Sequence, residues 1–434
     1  MHYYIRTAHG ISPSFYTSTA AALILGVLQG SGAAPCIWLS LSCILLQALH
    51  SHTNGFQASC PRRIRPSQRP GEAYVDDTNL WLTGPSHSTS GSTLVSSLQK
   101  VAQVWERLLF ASGDALALQK WFYYLVQWKW TPHGFPLLSN TADTTNTPIQ
   151  MTAGRSTTPT TIPRIESSMG ERILGVRLAP GGSFTQEFEH RHKQALKWVQ
   201  NIGTSPLTRE EVYTAYCSMW RPSFEFPLPI TCFSKEQCRL LQKAFTGPFL
   251  SKMGLSSKTD RKLIFAPYHY SGFAIADTWV QQGLQHLQLL LGHLCQQDQV
   301  GNLLHINIET LQILIGHPQP PLSYPYKEIR HIASPSWLTT IWEFINDIGG
   351  TITLTDPWNL PLDCQGNCHI MPKVLSQLVN IPKPLLSKHD LLKFNLCRIY
   401  LQALTLSDIA TSSGKEIDRH FWKGHRSSHK PPLN

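Results

Sequence analysis

The sequence predicts an α+β chain, and three observations carry that prediction. Between the breakers Pro70-Gly71 and Gly84-Pro85, residues 71–83 read as strand, tight turn and strand, with Asp76 and Asp77 at the tip. Leu94, Val95, Leu98, Val101, Val104, Trp105, Leu108 and Leu109 then recur at helical spacing, and Gly113 ends that run. From residue 183 onward, Ser183 with Gln186, Thr208 with Glu211 and Ser234 with Gln237 have capping-box spacing ahead of periodic segments.

The remaining elements follow in order. Residues 26–35, Gly-Val-Leu-Gln-Gly-Ser-Gly-Ala-Ala-Pro, form a glycine-rich turn whose backbone can come close to a ligand, and they open an apolar segment from Cys36 to Leu49. Past the helix that Gly113 ends, Leu116 to Lys120 leads into an aromatic strand from Trp121 to Trp130. Residues 139–163 are rich in Thr, Ser, Asn and Pro, and read as a loop or loose hairpin with 149–152 as its strand-like piece. Arg172 to Leu178 reads as another strand, closed by Pro180-Gly181-Gly182. The helix expected over 187–201 carries His190, Arg191, His192, Lys193 and Lys197, which suits either a duplex backbone or a solvated basic face. A proline and glycine segment, 267–273, precedes a long apolar helix over 279–294. After the proline-rich boundary at 318–325 the pattern is less informative. Cys364, Cys368 and His369 have the look of half a metal site with no second half, and 422–434 reads as a basic tail.

Taken together, the Leu28-Gln29-Gly30-Ser31-Gly32 turn, Tyr74-Val75-Asp76-Asp77, the lysine of Leu118-Gln119-Lys120 and the Leu174-Gly175 strand stand in an order that resembles the second half of a reverse transcriptase palm. The form of the glycine-rich turn is similar to that of non-LTR, LINE-like retroelement enzymes. The resemblance implies a palm remnant over 1–135, a loop with primer-grip strands over 136–183, a helical thumb-like region over 184–300 and a mostly helical C-terminal extension over 301–434. It implies that Asp76 binds metal with Asp77 as a weaker partner, and that Lys120 lies near the leaving pyrophosphate as a general acid. Gln29 and Gly30 would face template and incoming nucleotide, Tyr74 and Val75 the primer end, and Leu174 and Gly175 would form the primer grip. The implied cofactor is Mg²⁺, a hard ion suited to carboxylate oxygens. The implied partners are an RNA or DNA primer-template and dNTPs.

One member of that constellation has no counterpart. The family places a further Asp on a strand ahead of the Gln-Gly turn, and residues 1–71 contain neither Asp nor Glu. The expectation is therefore an RNA-directed DNA polymerase by ancestry that starts in mid-palm and lacks activity, because such constellations lose nearly all rate when one member goes. The alternative is a non-catalytic nucleic-acid-binding remnant. A third reading, an interaction protein with an acidic hairpin, requires the motif order to be coincidence.

Composition fits a polyanion partner. Lys and Arg number 37 against 27 Asp and Glu, a formal net charge of +10. Arg62, Arg63, Arg65 and Arg69 cluster before the hairpin, where they either reach a phosphate backbone or make a solvated loop. A hydrophobic fraction of 42% in 434 residues allows two or three domains with substantial cores. Residues 20–49 are apolar, yet Gln29 to Pro35 interrupts them, so they read as buried core rather than a membrane span. Ten cysteines without framework spacing suit reduced thiols, and the expected location is intracellular.

Overall fold

The 21-residue helix that the apolar spacing of 94–109 predicts is the spine of the first of two units in the computed structural model, one of residues 1–57, 68–125 and 141–165 and the other of 58–67, 126–140 and 166–434. The described residues are 34–59, 66–74, 77–84, 89–130, 136–144, 147–296, 298–354, 364–379, 381–382, 384–401 and 403–418, with short strand and bend pieces between 2 and 17. The fold class is mixed α+β, and every sheet among the described residues is two-stranded.

In the first unit, helix α1 (Ala34–His50) precedes a hairpin of β1 (Gly71–Tyr74) and β2 (Asp77–Leu80), followed by helix α2 (Gly91–Ala111). The Ser90 side chain caps α2 by accepting from the Thr93 N–H, and Gly113 takes a φ of 91° just beyond its end. Two stripes of α2 are apolar because it is covered on two sides. Val101, Trp105 and Leu109 pack with Leu45 and Leu49 of α1. Val95 and Ala102 pack with Leu118, Tyr123, Leu125, Ile149, Met151 and Ile162. These last residues lie on or beside β3 (Tyr123–Tyr124), β4 (Ile149–Met151), β5 (Thr160–Ile162) and β6 (Arg164–Ile165), paired β4 with β5 and, in parallel, β6 with β3.

A third stripe of α2 is polar and takes over the open edge of β4. The Gln99 side chain accepts from the Gln150 N–H at 3.0 Å. Gln103 accepts from the Thr152 N–H at 3.0 Å and donates to its carbonyl at 2.9 Å. The fully buried Glu106 accepts from the Gly154 N–H at 2.6 Å, and Arg107 donates to the Gly154 carbonyl at 2.9 Å. Side chains at i, i+4, i+7 and i+8 of a helix thus match alternate residues of an extended segment, which leaves no bare ladder for another chain to pair with.

Two expectations need correction in this unit. The aromatic stretch 121–130 is not one strand, because Tyr123–Tyr124 pairs within the first unit whereas Trp128–Trp130 pairs with Pro136–Leu138 in the second. Residues 118–120 form a single 3₁₀ turn. The apolar segment expected as buried core buries Leu45 and Leu49 but leaves Ile37, Leu39 and Ile44 at 50–65% exposure, since α1 meets α2 along one face. No helix among the described residues is long and apolar enough to cross a membrane.

In the second unit, beyond the pair of 128–130 with 136–138, comes a hairpin of β7 (Glu171–Ile173) and β8 (Val176–Leu178). Helices α3 (Thr185–Thr204), α4 (Arg209–Ala215) and α5 (Lys235–Lys252) follow. Thr208 with Glu211 and Ser234 with Gln237 form reciprocal capping boxes, as their spacing predicts. Ser183 with Gln186 does not, because the Gln186 side chain instead accepts from the Gly170 N–H and the helix starts at Thr185. An aromatic cluster joins these helices, with Trp198 stacked on Trp220 at 5.0 Å and Tyr216, Phe224, Phe245 and Phe249 around them. Between Ala215 and Arg221 the chain widens into a π turn at Tyr216–Trp220, immediately ahead of Pro222, whose ring and missing N–H do not fit an α-helical interior.

Helices α6 (Thr278–Gln296) and α7 (Gln299–Ile315), the short α8 (Tyr326–Ile329), α9 (Trp337–Asp347) and α10 (Lys388–Tyr400) complete the unit around a second core centred on Trp342, Ile341 and Leu322. Buried Arg398 of α10 donates to the Ile313 and Leu314 carbonyls, both at 2.7 Å, so a cation sits at the C-terminal end of α7.

His286 on α6 is fully buried, and its Nε2–H donates to the Thr231 carbonyl at 2.8 Å. Burial pushes its pKa from 6.5 down to about 4, against the opposing hydrogen bonds to Thr231 and Leu228. The neutral ring therefore contributes stability that is complete above pH 6.5 and is lost as pH falls toward 4. We predict that the urea midpoint falls between pH 7 and pH 5 by an amount equivalent to about 2 kcal/mol, and that His286→Gln flattens this dependence. An unchanged slope in the variant would contradict the assignment.

Candidate functional site

Two hairpins carry the residues that the sequence singles out, one in each unit. In the first, the register pairs Tyr74 with Asp77, Ala73 with Thr78, Glu72 with Asn79 and Gly71 with Leu80. Residues directly opposite share a face and alternate ones change face, so Glu72, Tyr74, Asp77 and Asn79 project one way. Gly71, Ala73, Thr78 and Leu80 project the other way, where Leu80 packs on the α1–α2 core. The first face is open, with Tyr74 66% exposed and Glu72 and Asp77 exposed.

The base of this hairpin is held by backbone. The Thr83 N–H donates to the Gly55 carbonyl at 3.2 Å and the Trp81 N–H to that of Pro70 at 3.0 Å. Gly55 has a φ of 63°, and a Cβ there would lie 2.1 Å from the Arg69 carbonyl oxygen. Only glycine fits that crossing. Lys120 ends the 3₁₀ turn with its side chain exposed, and the next residue, Trp121, packs on the same core as Leu80. The structure thus roots Tyr74, Asp77 and Lys120 on one core. Gln29, Gly30, Val75 and Asp76 lie outside the described residues, as do Arg62, Arg63 and Arg65.

A Mg²⁺ site of the expected kind needs several carboxylates gathered at one point. The described face of the hairpin offers Glu72 and Asp77, which lie on a cross-strand diagonal. Among the described residues no group of three or more His, Cys, Asp or Glu is placed to hold a metal ion, and Cys364, Cys368 and His369 do not make one. The described residues alone do not fit the ion.

The second hairpin corrects the reading of Arg172 to Leu178 as one strand. Ile173 pairs with Val176, and Leu174 with Gly175 makes the two-residue turn between them. Both turn residues have positive φ, 49° and 89°, as in the hairpin turns that follow the twist of antiparallel strands. Leucine adopts that region at a cost of roughly 1–2 kcal/mol. Helix α3 opposes that cost from below. Buried Glu187 accepts from the Arg177 N–H at 2.8 Å and from the Arg191 guanidinium. Arg191 in turn donates to the Gly175 carbonyl at 3.1 Å and to the Ser223 carbonyl at 3.3 Å.

Arg191 is therefore a buried strut, available neither to a duplex backbone nor to a solvated basic face. That face holds Glu189, His190, Lys193 and Lys197, while His192 stacks on Phe188. Above the hairpin, Arg172 and Arg177 stand directly opposite each other. Burial, then Arg191, with smaller contributions from Arg177 and Arg172, holds the pKa of His190 below its ordinary value despite Glu187. Leu174 is 43% exposed and Phe226 59%, and the Phe226 ring lies 3.4 Å from where a Gly175 Cβ would be. Arg172 and Arg177 in the strands, exposed Leu174 in the turn and the exposed Phe226 ring beside Gly175 thus belong to one hairpin. Phe226 gives no signal in the sequence, where it is the third residue of an unremarkable Phe-Glu-Phe-Pro run.

Removing one partner of the buried pair leaves a charge without compensation. Arg191→Met is expected to lower unfolding free energy by about 3–5 kcal/mol, and Glu187→Leu/Arg191→Met to be less destabilised than that single variant. Urea denaturation of the three proteins checks this, and a double variant weaker than Arg191→Met would refute the pairing argument. Compared with protein-family models, with characterised proteins and with solved structures, the chain matches none of them, so these two hairpins are the ground on which a functional reading stands.

Proposed function

We propose that this chain is a reverse-transcriptase-like polypeptide of non-LTR retroelement ancestry that binds primer-template nucleic acid and does not polymerise. The observation that carries this reading is the Leu174-Gly175 turn, a rigid hairpin tip that combines Arg172, Arg177 and His190 with the exposed Leu174 and Phe226. Guanidinium groups suit phosphate oxygens, and an exposed aromatic ring suits a base or sugar face. The Tyr74-Val75-Asp76-Asp77 hairpin, with Tyr74 and Asp77 on an open face, supports the family side of the reading, as does the order of the Gln29-Gly30, Lys120 and Leu174-Gly175 motifs.

In an active relative of this kind, Asp76 and Asp77 would hold Mg²⁺, which would supply charge neutralisation at the transferred phosphate. Within these 434 residues the segment ahead of the hairpin brings no carboxylate to join them. Glu72 shares the face of Asp77, but its place on the same hairpin makes it a poor substitute for a ligand from a neighbouring strand.

The polypeptide is predicted not to extend a primer with Mg²⁺ or Mn²⁺ and dNTPs. Processive incorporation that Asp76→Asn abolishes would contradict this and point to Glu72. Fluorescence anisotropy with labelled primer-template duplexes is predicted to give sequence-independent binding with a Kd of about 1–100 μM that weakens with salt. Arg172→Gln and Lys193→Gln should each reduce the slope of log affinity against log salt by about one. A flat salt dependence would show that the basic residues make no phosphate contacts.

A further inference from the structure

The C-terminal region contains a second concentration of positive charge that the polymerase reading does not use. Between α8, the residues just after it and the start of α10 lies an open cleft of about 490 Å³. Lys327, Arg330, His331 and Lys388 line it, Val379 and Leu391 supply apolar wall, and Glu328 is the single carboxylate among its lining residues. Three permanent cations thus face one anion. None of Lys327, Arg330 and Lys388 forms an ion pair with a carboxylate of a described residue.

The cations bear on the same space. Arg330 Nε lies 3.4 Å from His331 Nε2, and burial, Lys388 and then Arg330 hold the His331 pKa below its ordinary value. Asp390, the acidic residue closest in sequence to Lys388, accepts from the Ser387 N–H and hydroxyl in a capping box and is engaged there. Like charges gathered around one lining carboxylate, Glu328, with Glu343 acting on Arg330 from farther off, cost stability, and an anionic ligand would relieve that cost.

We propose that this cleft binds a phosphate monoester, with Lys327, Arg330 and Lys388 holding the phosphate oxygens and Val379 and Leu391 against the adjoining part of the ligand. A guanidinium fork and two ammonium groups match a compact dianion better than a single carboxylate. The cleft lies in the size range of small-molecule sites, with room for a nucleotide beyond its phosphate. Two sources share this chemistry, a free mononucleotide and the 5′-phosphorylated end of a strand. The proposal does not depend on the polymerase reading.

The test is calorimetric titration of the full chain at low salt with inorganic phosphate, with a nucleoside 5′-monophosphate, and with one short oligonucleotide with and without its 5′-phosphate. Saturable binding of phosphate and nucleotide is expected. Tighter binding of the phosphorylated strand supports the site and assigns it to strand ends. Equal binding of the two strands, with nucleotide binding kept, supports it and assigns it to the free nucleotide. Arg330→Gln, Lys388→Gln and Lys327→Gln should each weaken nucleotide binding by roughly tenfold, whereas Lys243→Gln, an exposed cation on α5, should not. Three exposed positions give three independent variants, and thermal melts confirm that each is folded. Absence of saturable phosphate and nucleotide binding, or binding that all three folded variants leave unchanged, would overturn the proposal.

Discussion

The buried ion pair of Glu187 and Arg191 is the interaction on which the second hairpin depends. Two charges taken out of water cost several kcal/mol each, and that cost is met only when every remaining donor and acceptor finds a partner. Here the partners are backbone groups of the neighbouring hairpin. Glu187 takes the Arg177 N–H, and Arg191 reaches the Gly175 and Ser223 carbonyls. A slip of the hairpin by one residue would strand both charges, so the pair fixes register as well as position. It also holds Leu174 at a φ that leucine rarely adopts, and so keeps an apolar side chain exposed at the tip. The aromatic cluster around Trp198, Trp220 and Phe245 anchors the other side of α3, which makes that helix a stiff support.

The first hairpin is rooted differently. Leu80 in the apolar core, the glycine crossing at Gly55 and the backbone bonds of Trp81 and Thr83 hold it. Both devices put polar residues on an open face while the opposite face is pinned. They reside in separate units, each rooted on its own core. In the C-terminal region Arg398 is engaged at a helix end, whereas Lys327, Arg330 and Lys388 form no ion pair with a carboxylate among the described residues.

Local signals were legible and tertiary ones were not. The spacing of Val95, Val101, Trp105 and Leu109 was enough to find α2, and the Thr208 and Ser234 boxes formed, because both depend on residues three or four apart. The β1–β2 hairpin was equally visible from its flanking breakers. Ser183 with Gln186 had the same spacing as the working boxes and failed, since Gly170, distant in sequence, competes for the Gln186 side chain. Arg191 reads as one of the basic residues that suit either a duplex backbone or a solvated face, yet Glu187, Arg191, Ala195 and Ile202 fall on one stripe of α3, a pattern that contains its burial. The Leu174-Gly175 turn lies inside a run, Ile173 to Val176, whose apolar residues suit a strand, and the glycine is the available sign of reversal. The Gln99, Gln103 and Glu106 ladder on β4 had no sequence signal at all, because it joins residues about fifty positions apart.

The central claim is that a rigid Leu174-Gly175 hairpin on α3 is the nucleic-acid-facing surface of this chain. Hydrogen–deuterium exchange on the free protein and on its mixture with a primer-template duplex tests it most directly. The account predicts that amides of 171–178 exchange slowly in the free protein, as the α3 contacts require, and that addition of duplex increases protection there and along 190–197. Rapid exchange at 171–178 in the free protein, or protection that appears elsewhere and leaves these two segments unchanged, would contradict it.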